Sequence, residues 1–355
     1  MLRQLLTISK NTFTESIRQP IFAVLVLVGT IALILNLQLA AYTLEADTKL
    51  MVDMGLSTIL LISLFLAAVT ATGVLTDEIE KKTVLTVISK PINRPTFVVG
   101  KYLGVSAAIL LAYYILAMIF FLCVRHGVMQ TASNRVDWPV VIFGFGGALL
   151  AVLFASYANY MFRWVFTSTL TWTLAITETI AFVLVLFISK KFAFQMPYHD
   201  LFEGKVQLMQ VIVGVGLITF AVLILTSIAL AASTRLGKVM TTLICIGAFM
   251  LGLISNSLNQ WTNSKLEIPA HVGVFESFSN IFSAHIPFYS QLIYAASKLI
   301  YLITPNLQFL WPADAITQGN PFTPLAFAAS SLYAVFYIIA ILSIAVILFQ
   351  KREVG

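Results

Sequence analysis

Eight apolar runs, at 21–41, 55–75, 102–124, 139–160, 164–189, 206–232, 239–257 and 325–349, divide the 355-residue chain. A hydrocarbon core of roughly 30 Å takes about 20 residues of helix, so each run has the length of a span. The pattern predicts an all-α, polytopic membrane helix bundle of about eight transmembrane helices. The pair 139–160 and 164–189 is joined only by Met161, Phe162 and Arg163. If that pair forms a hairpin that does not fully cross, six spans remain and both termini stay on one side. The longest stretch without a span is 258–324. It is too short for an ordinary nucleotide-binding or catalytic domain, so such a partner is expected as a separate chain. The first run has 21 residues, beyond the roughly 7–15 of a signal-peptide core, and no small-residue cleavage site follows. It is expected to be a retained span.

Composition agrees with the pattern. Hydrophobic residues make up 59% and charged residues 10%, against about 25% charged in a soluble domain; mean hydropathy is +0.95. So few charges cannot cover a soluble fold of this length, and lipid must solvate most of it. The formal charge is +6, but no basic cluster stands free of apolar sequence, which excludes a polybasic nucleic-acid binder. Cys123 and Cys245 both lie inside apolar runs, so no disulfide framework or metal cluster is indicated. Basic residues bias the topology. With both termini cytoplasmic, thirteen of the 21 Lys and Arg fall inside and eight outside. Lys190–Lys191 is the worst violation.

Three segments are not spans. Residues 2–19 place Leu2, Leu5, Leu6, Ser9, Phe13 and Ile17 on one stripe, away from Arg3, Lys10 and Arg18. That is the pattern of a helix lying in the cytoplasmic interface; a loosely ordered basic tail is the plainer alternative. Between the second and third runs, Asp77 and Glu80 make a capping box, Lys90 suits a last turn, and Pro91 ends the helix. Ile79, Thr83, Val84, Val87 and Ile88 form its narrow apolar stripe. This helix at the cytoplasmic mouth either floats on headgroups or docks a cytoplasmic partner and transmits movement into two spans. Residues 286–304 carry Gln291, Ser297 and Lys298 between Pro287 and Pro305. A short interfacial or re-entrant helix fits them better than a span.

Catalytic chemistry is hard to find. Gly100–Lys101, Gly204–Lys205 and Gly237–Lys238 lack the spacing and the Ser/Thr of a phosphate loop. His126, His199, His271 and His285 are scattered, with no metal-ligand spacing. No nucleophile elbow is present. No cofactor is expected. Glu178, between Thr177 and Thr179, is the one charge deep in a run. A carboxylate there costs about 2.5–3.5 kcal/mol on insertion scales, so it should face protein or water. It serves either a proton relay or substrate path, or it is a protonated group bonded to a neighbour such as Asn159, Arg163 or Thr177. Gly100 and Gly104 form a G-x-x-x-G, a spacing that permits close packing but is common by chance.

The stretch Asp77-Glu78-Ile79-Glu80-Lys81-Lys82-Thr83, continuing through Ser89-Lys90-Pro91-Ile92-Asn93-Arg94 to Gly100-Lys101, resembles the cytoplasmic loop of type-2 ABC exporter permeases. In particular it looks like the branch that includes the nitrous-oxide-reductase maturation and gliding-motility permeases. The N-terminal helix is similar to that family's elbow helix. Ala232-Ser233-Thr234-Arg235-Leu236 resembles its later cytoplasmic turn, Pro305-Asn306-Leu307 with Asp314-Ala315 its outer segment, and Phe349-Gln350-Lys351-Arg352-Glu353 its ending.

The resemblance implies an elbow helix at 1–20 and a permease domain at 21–355, with a coupling loop at 76–101 and outer helices in 258–324. It also implies two partners, a separate ABC ATPase subunit and a second permease copy or paralogue, in the cytoplasmic (inner) membrane. Asp77, Glu78, Ile79, Glu80, Lys81, Lys82, Val84, Leu85, Val87 and Ile88 would then couple to the ATPase, and the chain would hold no nucleotide site of its own. The extra pair at 139–189 departs from that family's six-span plan. Two other classes stay open: an ion-driven secondary transporter working through Glu178, and a membrane anchor or sensor that moves nothing. The substrate is not readable.

Overall fold

The computed structural model describes residues 2–42, 47–80, 93–129, 136–203, 207–266, 281, 287–318 and 323–350, with backbone alone at 75–80, 199, 203 and 317. Among these, the chain forms helices joined by turns and short irregular segments, with one isolated bridge between Ile188 and Phe194. In chain order the helices are α1 (Leu2–Arg18), α2 (Pro20–Ala40), α3 (Asp47–Glu80), α4 (Arg94–His126), α5 (Trp138–Phe162) and α6 (Phe166–Phe187). There follow α7 (Leu208–Ser233), α8 (Lys238–Lys265), α9 (Phe288–Ile303), the short α10 (Ala313–Thr317) and α11 (Pro324–Gln350). Eight of them, α2 to α8 and α11, are long and apolar enough to cross a membrane. The chain is a multi-pass membrane protein.

Polar contacts tie the helix ends together at two levels. At the end where α1 lies, the Thr167 hydroxyl donates to the Arg18 carbonyl (2.9 Å), Arg94 to that of Gln350 (2.6 Å) and Arg235 to that of Leu348 (2.9 Å). At the far end, Arg125 bonds Asp137 and Asp200, and Lys49 pairs with Asp314 at 3.1 Å. The α5–α6 hairpin is held at both levels, since α5 begins at Asp137 and α6 begins beside Arg18. With 25 and 22 residues, its arms reach about 38 and 33 Å at 1.5 Å per residue. Both arms therefore run the depth of the bundle. Arg163 makes the turn in left-handed backbone (φ 55°), and the α5 carbonyls of Ala158 and Asn159 accept from the turn.

The centre is a three-helix core of α3, α4 and α7, each buried over more than half of its most apolar window; α2, α5, α6, α8 and α11 are buried over less than a third. The outer faces of these five helices carry large exposed side chains such as Leu27, Leu150, Ile180, Leu243 and Phe336. In water such a belt would drive association; in lipid it is the solvated surface. Aromatic knobs seat the core. A Cβ built on Gly55 of α3 would lie 2.0 Å from the Phe120 ring of α4, so only glycine admits that ring. The Tyr113 hydroxyl donates across to the Val215 carbonyl of α7 at 2.5 Å.

Close backbone approach also explains where α1 lies. The face with Leu5, Ser9, Thr12 and Ser16 turns toward the bundle, and Thr12 and Ser16 are fully buried. Leu2 and Leu6 instead face outward, exposed by 74% and 62%. Gly100 and Gly104 are the seat. An added Cβ at Gly104 would meet the Thr12 Cβ at 2.5 Å and the Ser9 carbonyl oxygen at 2.6 Å, and one at Gly100 would meet Ile8 at 2.9 Å. The G-x-x-x-G spacing thus docks the amphipathic helix α1 rather than another span. Gly104→Leu should destabilise the purified chain by about 1–3 kcal/mol through overpacking. It should also open α1 to protease, which limited proteolysis reads directly, and Gly146→Leu is the control because a Cβ there meets nothing within 4 Å.

Two boundaries differ from the sequence expectation. Helix α3 begins at Asp47 and runs unbroken to Glu80. Asp77 therefore does not start a helix; it lies in the last turn of the second span, because nothing between Val74 and Asp77 interrupts helical backbone. Second, α4 already begins at Arg94, so Gly100 and Lys101 are buried span residues and not loop. The short helix expected within 286–304 is present as α9, at 16 residues or about 24 Å, and packs back along the last turns of α8. The Lys298 ammonium donates to Asn259 (2.8 Å) and Asn263 (2.6 Å), one turn apart on α8, and Ser297 bonds Thr262. Burial lowers the Lys298 pKa from its ordinary value. Beyond α9, Pro305 and Leu307 press on Gly252 in the middle of α8, and Gln308 bonds the Leu253 carbonyl and Asn256.

Candidate functional site

Two places qualify by geometry. The first surrounds the segment 81–92 at the α1 end. Among the proposed coupling residues, Asp77, Glu78, Ile79 and Glu80 form the last turn of α3, while Lys81, Lys82, Val84, Leu85, Val87 and Ile88 lie outside the described residues. The anchor on the other side is well defined. Asn93 precedes α4 in extended backbone, and Pro95 fits the first turn, where its missing N–H costs nothing. Phe97 stacks on Phe349 at 5.5 Å and 23°, and the buried Lys101 ammonium lies 5.6 Å over the Phe97 ring. Arg94 and Arg235 donate to the last carbonyls of α11, where a helix presents unsatisfied acceptors and the negative end of its dipole. The N-terminus of α4, the α7–α8 turn and the C-terminus of α11 thus form one clamped platform. The segment 81–92 connects α3 to α4, two of the three core helices.

The second place is a cavity of about 380 Å³ between α2, α4, α5 and α6. It runs from Thr30 and Glu178 at mid-bundle to His126 and Met129 at the far end. Glu178 is 2% exposed. The local partners expected for it are engaged elsewhere. Asn159 donates to the Trp164 carbonyl, Thr177 to that of Leu174, and Arg163 is the α5–α6 turn. They share its stretch of sequence but not its side of the helix, or lie four turns away. Gly147 of α5 passes close to the Thr177 backbone and the Glu178 carboxyl oxygen Oε1, so the carboxyl is enclosed by its own hairpin on one side.

Sequence reading missed the most polar cluster of the far end. The Arg125 side chain, 7% exposed, donates to Asp137, which is fully buried, and through Nε to Asp200 at 2.6 Å. Gln195 adds a bond to the same Asp200 oxygen at 2.5 Å. Asp137 also caps α5 by accepting from the Val140 amide. Lys190, one of the two residues that strained the charge bias at Lys190–Lys191, donates to the His126 carbonyl at 3.3 Å beside this knot. Partners 12 and 75 positions from Arg125 leave no local signal. A cue was available: an arginine in the last turn of a span needs an anion. No group of three or more His, Cys, Asp or Glu with metal-site geometry occurs among the described residues.

Comparison with known families gives a match that covers the segment 81–92 and most of the cavity lining. Residues 6–161 match the family model described as ABC-2 family transporter protein. The matched stretch, under half of the chain, runs from α1 through α5 and contains the segment 81–92 with both its anchors. It supports an ABC transporter permease, a membrane transport subunit of a kind that works with ABC ATPase subunits. No curated protein gives a significant match.

Proposed function

We propose that the chain is the membrane subunit of an ABC exporter, pairing with a second permease copy or paralogue and with separate ATPase subunits in the cytoplasmic membrane. The observation that carries this reading is the family match over the stretch that holds α1, the segment 81–92 and both core helices it joins. The segment would dock on the ATPase, with Asp77, Glu78, Ile79 and Glu80 at its root. ATP binding would push it. Because α4 begins on the clamped platform of Phe97, Phe349 and Arg94, movement there would pass into the core as a body rather than dissipate in a loop. The α1 helix, seated on Gly100 and Gly104 of the same helix, would ride with it at the lipid interface. The termini would lie on the cytoplasmic side, and the loop resembles that of the branch with the nitrous-oxide-reductase maturation and gliding-motility permeases.

Contact is testable without knowing the substrate. With Cys123 and Cys245 replaced by alanine, Val84→Cys or Val87→Cys should join the chain to an ATPase subunit when native membranes are treated with a thiol-to-amine crosslinker. Met129→Cys at the far end should not. Equal crosslinking from both ends would overturn the docking assignment.

A further inference from the structure

We propose that the cavity between α2, α4, α5 and α6 binds a lipophilic cation, with Glu178 as its counter-ion. At about 380 Å³ the cavity falls within the range of ligand pockets, roughly 300–1,000 Å³. Its walls are apolar, from Ile34 and Leu37 on α2 to Ile119 on α4 and Phe145 on α5. Small residues make the room: Gly144 and Ala148 of α5 face it where larger side chains would fill it. Into this space Glu178 brings a carboxyl that is 98% buried and forms no hydrogen bond or ion pair among the described residues.

A carboxylate in such surroundings is costly unless paired. Among the described residues, none supplies the pair. Arg125, next to the cavity-lining His126, is held by Asp137 and Asp200, and Lys190 by the His126 carbonyl. The other titratable groups lining the cavity are His126, whose Nδ1 lies 2.9 Å from the Gly127 carbonyl, and Cys123. What fits is an occupant with one positive charge and an apolar body: the charge meets Glu178 and the body replaces contacts that the walls lack. A neutral lipid chain would fill the space but leave the carboxyl unmatched. Seven of the seventeen lining residues, Glu178 included, belong to the α5–α6 hairpin, so the site accompanies the pair of spans that exceeds a six-span plan.

The test uses the full chain in nanodiscs of phosphatidylcholine and tritiated tetraphenylphosphonium as the probe, with empty nanodiscs subtracted. One saturable site per chain is expected. Glu178→Gln, which keeps shape and removes charge, should weaken binding by at least about tenfold, and Glu178→Asp by less. Ala148→Phe, which fills the cavity, should abolish binding while leaving Glu178 in place. Thermal unfolding checks each variant, and Glu178→Gln should be no less stable than the parent because it removes a buried charge. Absence of saturable binding, or affinity within about twofold of the parent in Glu178→Gln or in Ala148→Phe, would overturn the proposal. The assay needs no ATPase, so its failure leaves the ABC reading untouched.

Discussion

Deleting residues 79–88, or replacing Glu78 and Glu80 together by lysine, is expected to abolish coupling between the chain and its ATPase while leaving membrane insertion intact. The spans on either side are held by contacts that the deletion does not touch. Helix α3 is buried against α4 and α7 by Gly55, Phe120 and their neighbours, and α4 is anchored at its start by Phe97 and Arg94. The charge reversal replaces two acidic residues in the last turn of α3 and adds no apolar bulk. Reconstituted complex should therefore lose essentially all ATPase stimulation, with the basal rate of the ATPase alone unchanged and the same amount of chain in the membrane. The measurement is ATP hydrolysis with and without the permease, alongside quantification of inserted protein. Normal stimulation from the deleted chain would remove 79–88 from the coupling path.

Breaking the far-end knot should have the largest effect on stability. Arg125→Ala leaves the fully buried Asp137 facing Asp200 across the site of the lost guanidinium. Removing one partner of a buried ion pair costs about 3–5 kcal/mol, because the remaining charge stays out of water. Three elements meet there: the end of α4, the start of α5 and the turn around Asp200. The loss should therefore free the α5–α6 hairpin from the core at that end. The triple change Arg125→Met, Asp137→Leu, Asp200→Leu should be far milder, since it removes the desolvated charges along with their pairing. Thermal unfolding in detergent distinguishes the two. If the single variant is as stable as the parent, the knot is ornamental.

The spans were legible because a bilayer enforces one rule on every stretch that crosses it: about 20 apolar residues with their backbone bonds satisfied internally. All eight expected runs fall on helices, and their count holds because the 139–189 pair is tied at both levels, by Asp137 at one and by Arg18 at the other. What the sequence could not show is which helix meets which. Gly100 and Gly104 carry a packing signal, but nothing local says that Thr12 and Ser9 of α1 fill it. Arg125, Asp137 and Asp200 are unremarkable one at a time. The return of α9 onto α8 depends on Lys298 finding Asn259 and Asn263, a pairing across 39 and 35 positions. At the candidate sites the limits are physical too. Glu178 announces itself because charge in lipid is expensive. The cavity beside it is a property of small residues on a neighbouring helix, Gly144 and Ala148, which no pattern around Glu178 encodes. The helix boundary at Asp77 was misread because a capping box and the interior of a long helix use the same residue types.

The central claim, that this membrane bundle works under a separate ATPase, is tested most directly by purifying the tagged chain from its native membrane in mild detergent and identifying what comes with it. A stoichiometric subunit carrying a phosphate-binding loop, lost when 79–88 is deleted and retained in Glu178→Gln, is the result predicted. Recovery of the intact chain with no ATPase at any detergent condition that preserves its fold would contradict it.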